Sequence, residues 1–193
     1  MNRRVWGLFP VLLGVVFLTS CDGGSAPSGD SGSPGTDPID RAIAVLTPTQ
    51  GNDVSGTVDF VQAGEAVQVV VNVQGLKPNT VHGWHIHEFG DISTPDGNSM
   101  GGHYNPENQD HALPNKTNRH AGDLGNLTAD AQGNARQEIT VDNISINGTK
   151  NPILGRGVII HADEDDGGQP TGNAGARIAQ GVIGVRQVNQ PES

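Results

Sequence analysis

Val81–Asp91, VHGWHIHEFGD, is the stretch on which the fold turns. Read as a strand over Val81–Glu88, its side chains alternate between two faces. Trp84 and Ile86 then point together towards a core, and His85 and His87 leave the opposite face as a pair. The chain shows no amphipathic helix of any length. It offers instead short β-branched runs at Ala42–Leu46, Val54–Val61, Val67–Val73, Ala135–Val141, Val158–His161 and Ile178–Val185. Turn signals punctuate them at Gly51-Asn52, Ala63-Gly64, Gly75 with Pro78-Asn79, and Gly133-Asn134. Short strands spaced in this way predict an all-β sandwich or barrel.

Two imidazoles two positions apart on a strand form a ready pincer for a metal ion, although surface histidines can share that spacing. The surroundings of His85 and His87 strengthen the metal reading. His103, His111, His120 and Asp123 lie in Phe89–Asn134, a connection too rich in Gly, Asn and Pro for regular structure. A loop that long inside a compact domain needs a source of order. Three imidazoles and a carboxylate make a complete tetrahedral shell for zinc, and so provide one. His161 ends the run Gly157–His161, from which it can turn towards His85 and His87. Ligands this rich in imidazole suit copper and zinc better than calcium or magnesium. The seventh histidine, His82, is read as a structural hydrogen-bonding residue. The Asn-x-Ser/Thr sequences at Asn126, Asn143 and Asn147 are read as chance.

The ends of the chain carry a different message. Residues 1–20 read as an export signal, with Arg3 and Arg4 ahead of the apolar run Trp6–Leu18, which is too short to span a bilayer as a helix. Cys21, the only cysteine, has no partner for an internal disulfide. Leu18-Thr19-Ser20-Cys21 resembles the lipobox of bacterial lipoproteins, which implies acylation of Cys21 and anchoring to a bacterial membrane, on the periplasmic or cell-surface side. Residues 21–38 are, after Cys21, Gly, Ser, Pro and Asp with one Ala and one Thr, and read as a solvated tether. Residues 39–193 then form one domain. Without Arg3 and Arg4, nine Lys and Arg face twenty-one Asp and Glu, a net charge of −12. That excludes a nucleic-acid partner and leaves the lipid as the only expected hold on a membrane.

The strings GWHIHEFGD, GGHYNP, RHAGDLGNLTAD, GVIIHADEDD and TGNAGARIAQGVIG resemble, in order and with matching gaps, the signature segments of copper/zinc superoxide dismutases, from about Ala42 to Val188. The resemblance implies a Greek-key β-sandwich or flattened barrel of about eight antiparallel strands, with long metal-binding and electrostatic loops. It implies one copper per subunit on His85, His87, His103 and His161, and one zinc on His103, His111, His120 and Asp123. The His103 imidazole would bridge the two metals. Asp165 matches the carboxylate that accepts hydrogen bonds from His85 and His111. Arg177 matches the arginine that draws in the small anion, and Thr171 the residue opposite it in the channel. The implied reaction is dismutation of superoxide to oxygen and hydrogen peroxide by alternate reduction and oxidation of the copper, with His103 handling a proton; Arg177 and His103 are thus the expected catalytic residues.

One departure stands out. Most members of the resembled family carry a disulfide from the loop before the bridging histidine to the last strand. Here Gln180 fills the last-strand position, and Asp96–Met100 contains no cysteine. A lost bridge of that kind typically removes about 2–4 kcal/mol, which leaves the order of Asp91–Gly102 to other contacts and to metal. The rival reading is a copper-storage or metallochaperone lipoprotein on the same fold. It is disfavoured because every ligand is present and Arg177 is kept. Monomer and homodimer both remain open from sequence.

Overall fold

The computed structural model describes residues 39–187. The export signal, Cys21 and the tether lie outside the described residues. Eight strands follow one another: β1 (Arg41–Pro48), β2 (Ser55–Ala63), β3 (Ala66–Gln74), β4 (Val81–His87), β5 (Asp123–Thr128), β6 (Ala135–Val141), β7 (Gly157–His161) and β8 (Arg177–Val185). All pair antiparallel, in the order β5-β4-β7-β8-β1-β2-β3-β6. The result is an all-β, nearly closed barrel. Its two edge strands, β5 and β6, line a groove of about 700 Å³ with the segment Leu113–Thr117.

Alternation explains where the core sits. On β3, Val67, Val69, Val71 and Val73 are buried while Gln68, Val70, Asn72 and Gln74 are not. These inward valines pack with Phe60, Leu46, Trp84, Ile86, Ile160 and Ile183 between the two halves of the barrel. The turns named from sequence adopt the backbone they require: Gly51, Gly64, Gly75, Asn79 and Gly133 all have positive φ. Such a conformation costs a glycine little and an asparagine less than most residues.

All seven expected strands appear: β6 with the bounds expected, β1, β2, β3, β7 and β8 with shifted ends, and β4 stopping at His87 and not Glu88. The real omission is β5. Its sequence DLGNLT carries a glycine at φ 87 and an asparagine, and so read as loop. Its ladder is supplied from outside by β4, through Val81–Thr128, His82–Leu127, Gly83–Asn126 and His85–Asp123, with a bulge between Gly83 and His85. Pairing overrides a weak local preference here.

Candidate metal centre

β4 puts Trp84 and Ile86 in the core cluster and His85 and His87 on the other side, under the loops, as alternation requires. Three more elements converge on that side. A bridge between His87 and His103 brings in the loop after β4. Asp123 opens β5, opposite His85. His161 closes β7, next to Arg177 at the start of β8. His111 and His120 come from the segment that leads into β5. All six histidines and Asp123 are buried.

Two abutting groups of potential ligands result: His85, His87, His103 and His161, and His103, His111, His120 and Asp123. His103 belongs to both. In the second group, Asp123 Oδ1 lies 3.0 Å from His103 Nδ1, 3.0 Å from His111 Nδ1 and 3.2 Å from His120 Nδ1, and the His103 and His120 Nδ1 atoms are 3.4 Å apart. Zinc–nitrogen bonds of about 2.0–2.1 Å in a tetrahedron would set its donor atoms about 3.3 Å apart. These four separations lie close to that spacing.

The first group shows its purpose through hydrogen bonding. Three of its four rings commit one nitrogen to an oxygen outside both groups: His85 Nε2 to Asp165 Oδ2 at 2.8 Å, His87 Nδ1 to the Gly101 carbonyl at 3.0 Å, and His161 Nδ1 to the Gly175 carbonyl at 3.1 Å. Only an N–H can donate to these acceptors, so the opposite nitrogen of each neutral ring carries the lone pair. Those opposite atoms, His85 Nδ1, His87 Nε2 and His161 Nε2, are buried without a hydrogen-bond partner. Buried polar atoms are rarely left so. Three of them on rings of one group are explained by a cation between them.

Asp165, 1 % exposed, ties the groups together. Its Oδ2 accepts from His85, and its Oδ1 accepts from His111 Nε2 at 3.0 Å. Asn126 holds Asp165 in turn: its side-chain amide donates to the Asp165 carbonyl at 2.9 Å and accepts from the Asp165 N–H at 2.8 Å. Both amide atoms are thus consumed, and this Asn-x-Thr site has a structural use that sequence reading missed. No local pattern announces it. His82 behaves as expected, donating from Nδ1 to the His161 carbonyl at 2.9 Å, with Thr80 Oγ1 at 2.7 Å from Nε2.

Electrostatics sort the rings. Burial pushes His103 down to about 4 and His161 down to about 3, and it holds His85 and His87 below the ordinary histidine range. Their lone pairs are therefore free of protons at neutral pH. His111 is the exception. Burial would lower it, but hydrogen bonds to Asp123 and Asp165 outweigh burial and raise it to about 9. With both ring nitrogens protonated, the proton on Nδ1 occupies the place against Asp123 Oδ1 that a cation would take. Burial alone would raise Asp123 and Asp165, yet their histidine partners hold both well below the usual carboxylate range.

Arg177 stands beside this cluster, its Nη1 donating to the Gly97 carbonyl and its Nη2 to the Gly101 carbonyl at 2.6 Å. It is half-buried and held by backbone oxygens, with no carboxylate in direct ion-pair contact. Thr171 is exposed in the loop between β7 and β8 and contributes no atom to either group.

Fold and site together define an all-β barrel protein with two adjoining buried groups of potential metal ligands and an arginine at their side. The family model for copper/zinc superoxide dismutase (SODC) matches residues 54–183, and the chain belongs to that family. It is similar to the crystal structure of the clock protein EA4, with 42 % sequence identity and a TM-score of 0.69, over 76 % of this chain and 95 % of that one.

Proposed function

We propose that the protein is a copper- and zinc-dependent superoxide dismutase, one copper and one zinc per chain. The observation that carries this is the set of orphaned lone pairs on His85, His87 and His161, in a group with no carboxylate, beside a closed three-imidazole, one-carboxylate group. The all-imidazole group suits copper, and the carboxylate-containing one suits a zinc ion with no open position. When bound, the copper supplies one-electron exchange; the zinc, with a filled d shell, supplies none.

The residues do the rest. His103 engages the zinc group through Nδ1, which leaves Nε2 for the copper group and makes it the atom that can take up and return a proton. Dismutation turns two superoxide ions and two protons into one oxygen and one hydrogen peroxide, so an imidazole that delivers a proton at the site has a defined task. Arg177 supplies the positive charge that draws the small anion in against an acidic protein. Asp165 fixes the tautomers of His85 and His111. A metal store would have no use for Arg177, and this favours turnover over the storage or chaperone reading. Similarity to the clock protein EA4 means that the fold alone does not establish turnover, so activity is the deciding test. We further propose that the chain is exported and lipid-anchored through Cys21, by the lipobox argument.

The protein loaded with both metals is expected to consume superoxide. Arg177→Gln is expected to lower kcat/KM at least severalfold at low ionic strength and to flatten its salt dependence, because an electrostatic pull acts within a Debye length of about 8 Å at physiological salt. Pulse radiolysis or stopped-flow measurement across a salt series checks both. No consumption by the loaded wild type refutes the enzyme reading, and an unchanged Arg177→Gln rate refutes the steering role.

A further inference from the structure

The Arg177 guanidinium owes its position to two carbonyls on the loop 88–102, so whatever holds that loop holds the charge. Hydrogen bonds from the turn after β1 and from β8 help to tie loop and arginine to the barrel. On the turn after β1, Thr49 is 3 % exposed; its hydroxyl donates to the Arg177 carbonyl at 2.7 Å, and its N–H donates to the Ile178 carbonyl at 3.2 Å. The next residue, Gln50, donates its N–H to the Pro95 carbonyl at 2.7 Å. Asn52 Nδ2 donates to the Thr49 hydroxyl at 2.9 Å, which orients it towards Arg177. From β8, the buried Gln180 reaches under the loop, with Nε2 3.5 Å from the Thr94 carbonyl.

Gly97 shows how close the fit is. With φ +76, a side chain there would be strained, and its Cβ would lie 3.3 Å from Arg177 Cδ, 3.3 Å from Ile159 Cδ1 and 3.4 Å from Gln180 Oε1. The loop thus rests directly on the arginine stem and on Gln180. The Gly101 carbonyl also accepts from His87, so one backbone oxygen orients both the charge and a member of the copper group.

We infer that the Thr49–Asn52 turn and Gln180 form a non-covalent clasp whose role is to position Arg177 for the incoming anion, which makes Thr49 and Gln180 positioning residues. This rests on the reading of Arg177 as the anion-attracting charge. The clasp does the work of a cross-link without a thiol, at a place where this chain has Gln180 and no cysteine. Removing the Thr49 hydroxyl leaves the Arg177 carbonyl without that donor and loosens the start of β8, which the turn then holds only through the Thr49 N–H to the Ile178 carbonyl.

The test uses azide, a small anion that binds copper(II) and changes its visible absorption, on the metal-loaded protein. Thr49→Val and Gln180→Met are each expected to raise the azide Kd about three- to tenfold, the span one net hydrogen bond supplies. Thr49→Ser should stay within about twofold of wild type on the same scale. The EPR spectrum of the anion-free copper should be unchanged in all three. The decisive arm repeats Thr49→Val in an Arg177→Ala background. If Thr49 acts through Arg177, the second change adds nothing to the azide Kd; an equal loss in both backgrounds, or no loss in either, overturns the inference. Superoxide consumption by wild type is read separately: its absence would sink the enzyme reading while the azide cycle still reports on the clasp.

Discussion

Asp165→Asn weakens metal binding by about 10–100-fold, the range typical of losing the partner of a ligating histidine. The carboxylate accepts three N–H groups, from His85, His111 and the Gly167 backbone. A carboxamide has one acceptor oxygen, so its NH2 must face one of the two imidazole N–H groups. That ring can then keep its hydrogen bond only in the other tautomer, which turns its lone pair away from the metal. The site cannot relax by moving Asp165. Asn126 holds its backbone from both sides, and a Cβ at Gly172 would come within 2.0 Å of Asp165 Oδ1. Competition with chelators of known affinity, run for copper and for zinc on wild type and variant, measures the loss. Equal affinities would show that Asp165 does not set the tautomers.

The metal-free protein should be most stable near pH 6.5 and lose stability in both directions. On the acid side, the folded state holds His103 down to about 4 and His161 down to about 3, with His85 and His87 also lowered, against an unfolded value of 6.5. The unfolded chain therefore binds more protons below pH 6.5, and stability falls as pH falls through that window. On the alkaline side, His111 is raised to about 9. Its contribution is complete below 6.5 and disappears as pH rises through 9. Four groups act on the acid side and one on the alkaline side, so the acid limb is the steeper. A cation between Asp123 and its histidines replaces the His111 proton, so metal loading should abolish the alkaline limb and raise Tm at every pH where the metal stays bound. Thermal melts of metal-free and loaded protein from pH 5 to 9 check this. A metal-free Tm that is flat across that range, or that rises through pH 9, contradicts the assignment.

How much of this was legible beforehand differs by feature. The His85–His87 pair was readable because a strand has period two, and Trp84 and Ile86 marked which face was buried. The valines of β3 and the glycines of the turns were readable for similar local reasons. β5 was not, since its ladder comes from β4 and its own residues favour a loop. The ligands His103, His111, His120 and Asp123 were legible as residue types. Their convergence was not, because it depends on where β4 and β5 pair. Asp165 emerged only through the family resemblance, since one aspartate in ADEDD looks like its neighbours. The carbonyls of Gly101 and Gly175, the amide of Asn126 and the Thr49 hydroxyl left no trace in the sequence. Backbone acceptors and partners far apart in the chain have no compositional signal.

One imidazole, His103, is proposed to stand between two different metal ions. Crystals grown with copper and zinc present, with anomalous difference maps recorded on either side of each absorption edge, test it most directly. A copper peak is expected among His85, His87 and His161 on the Nε2 side of His103, and a zinc peak among His111, His120 and Asp123 on its Nδ1 side. A single ion, two ions of one element under equal supply, or peaks that leave His103 uncoordinated would contradict it.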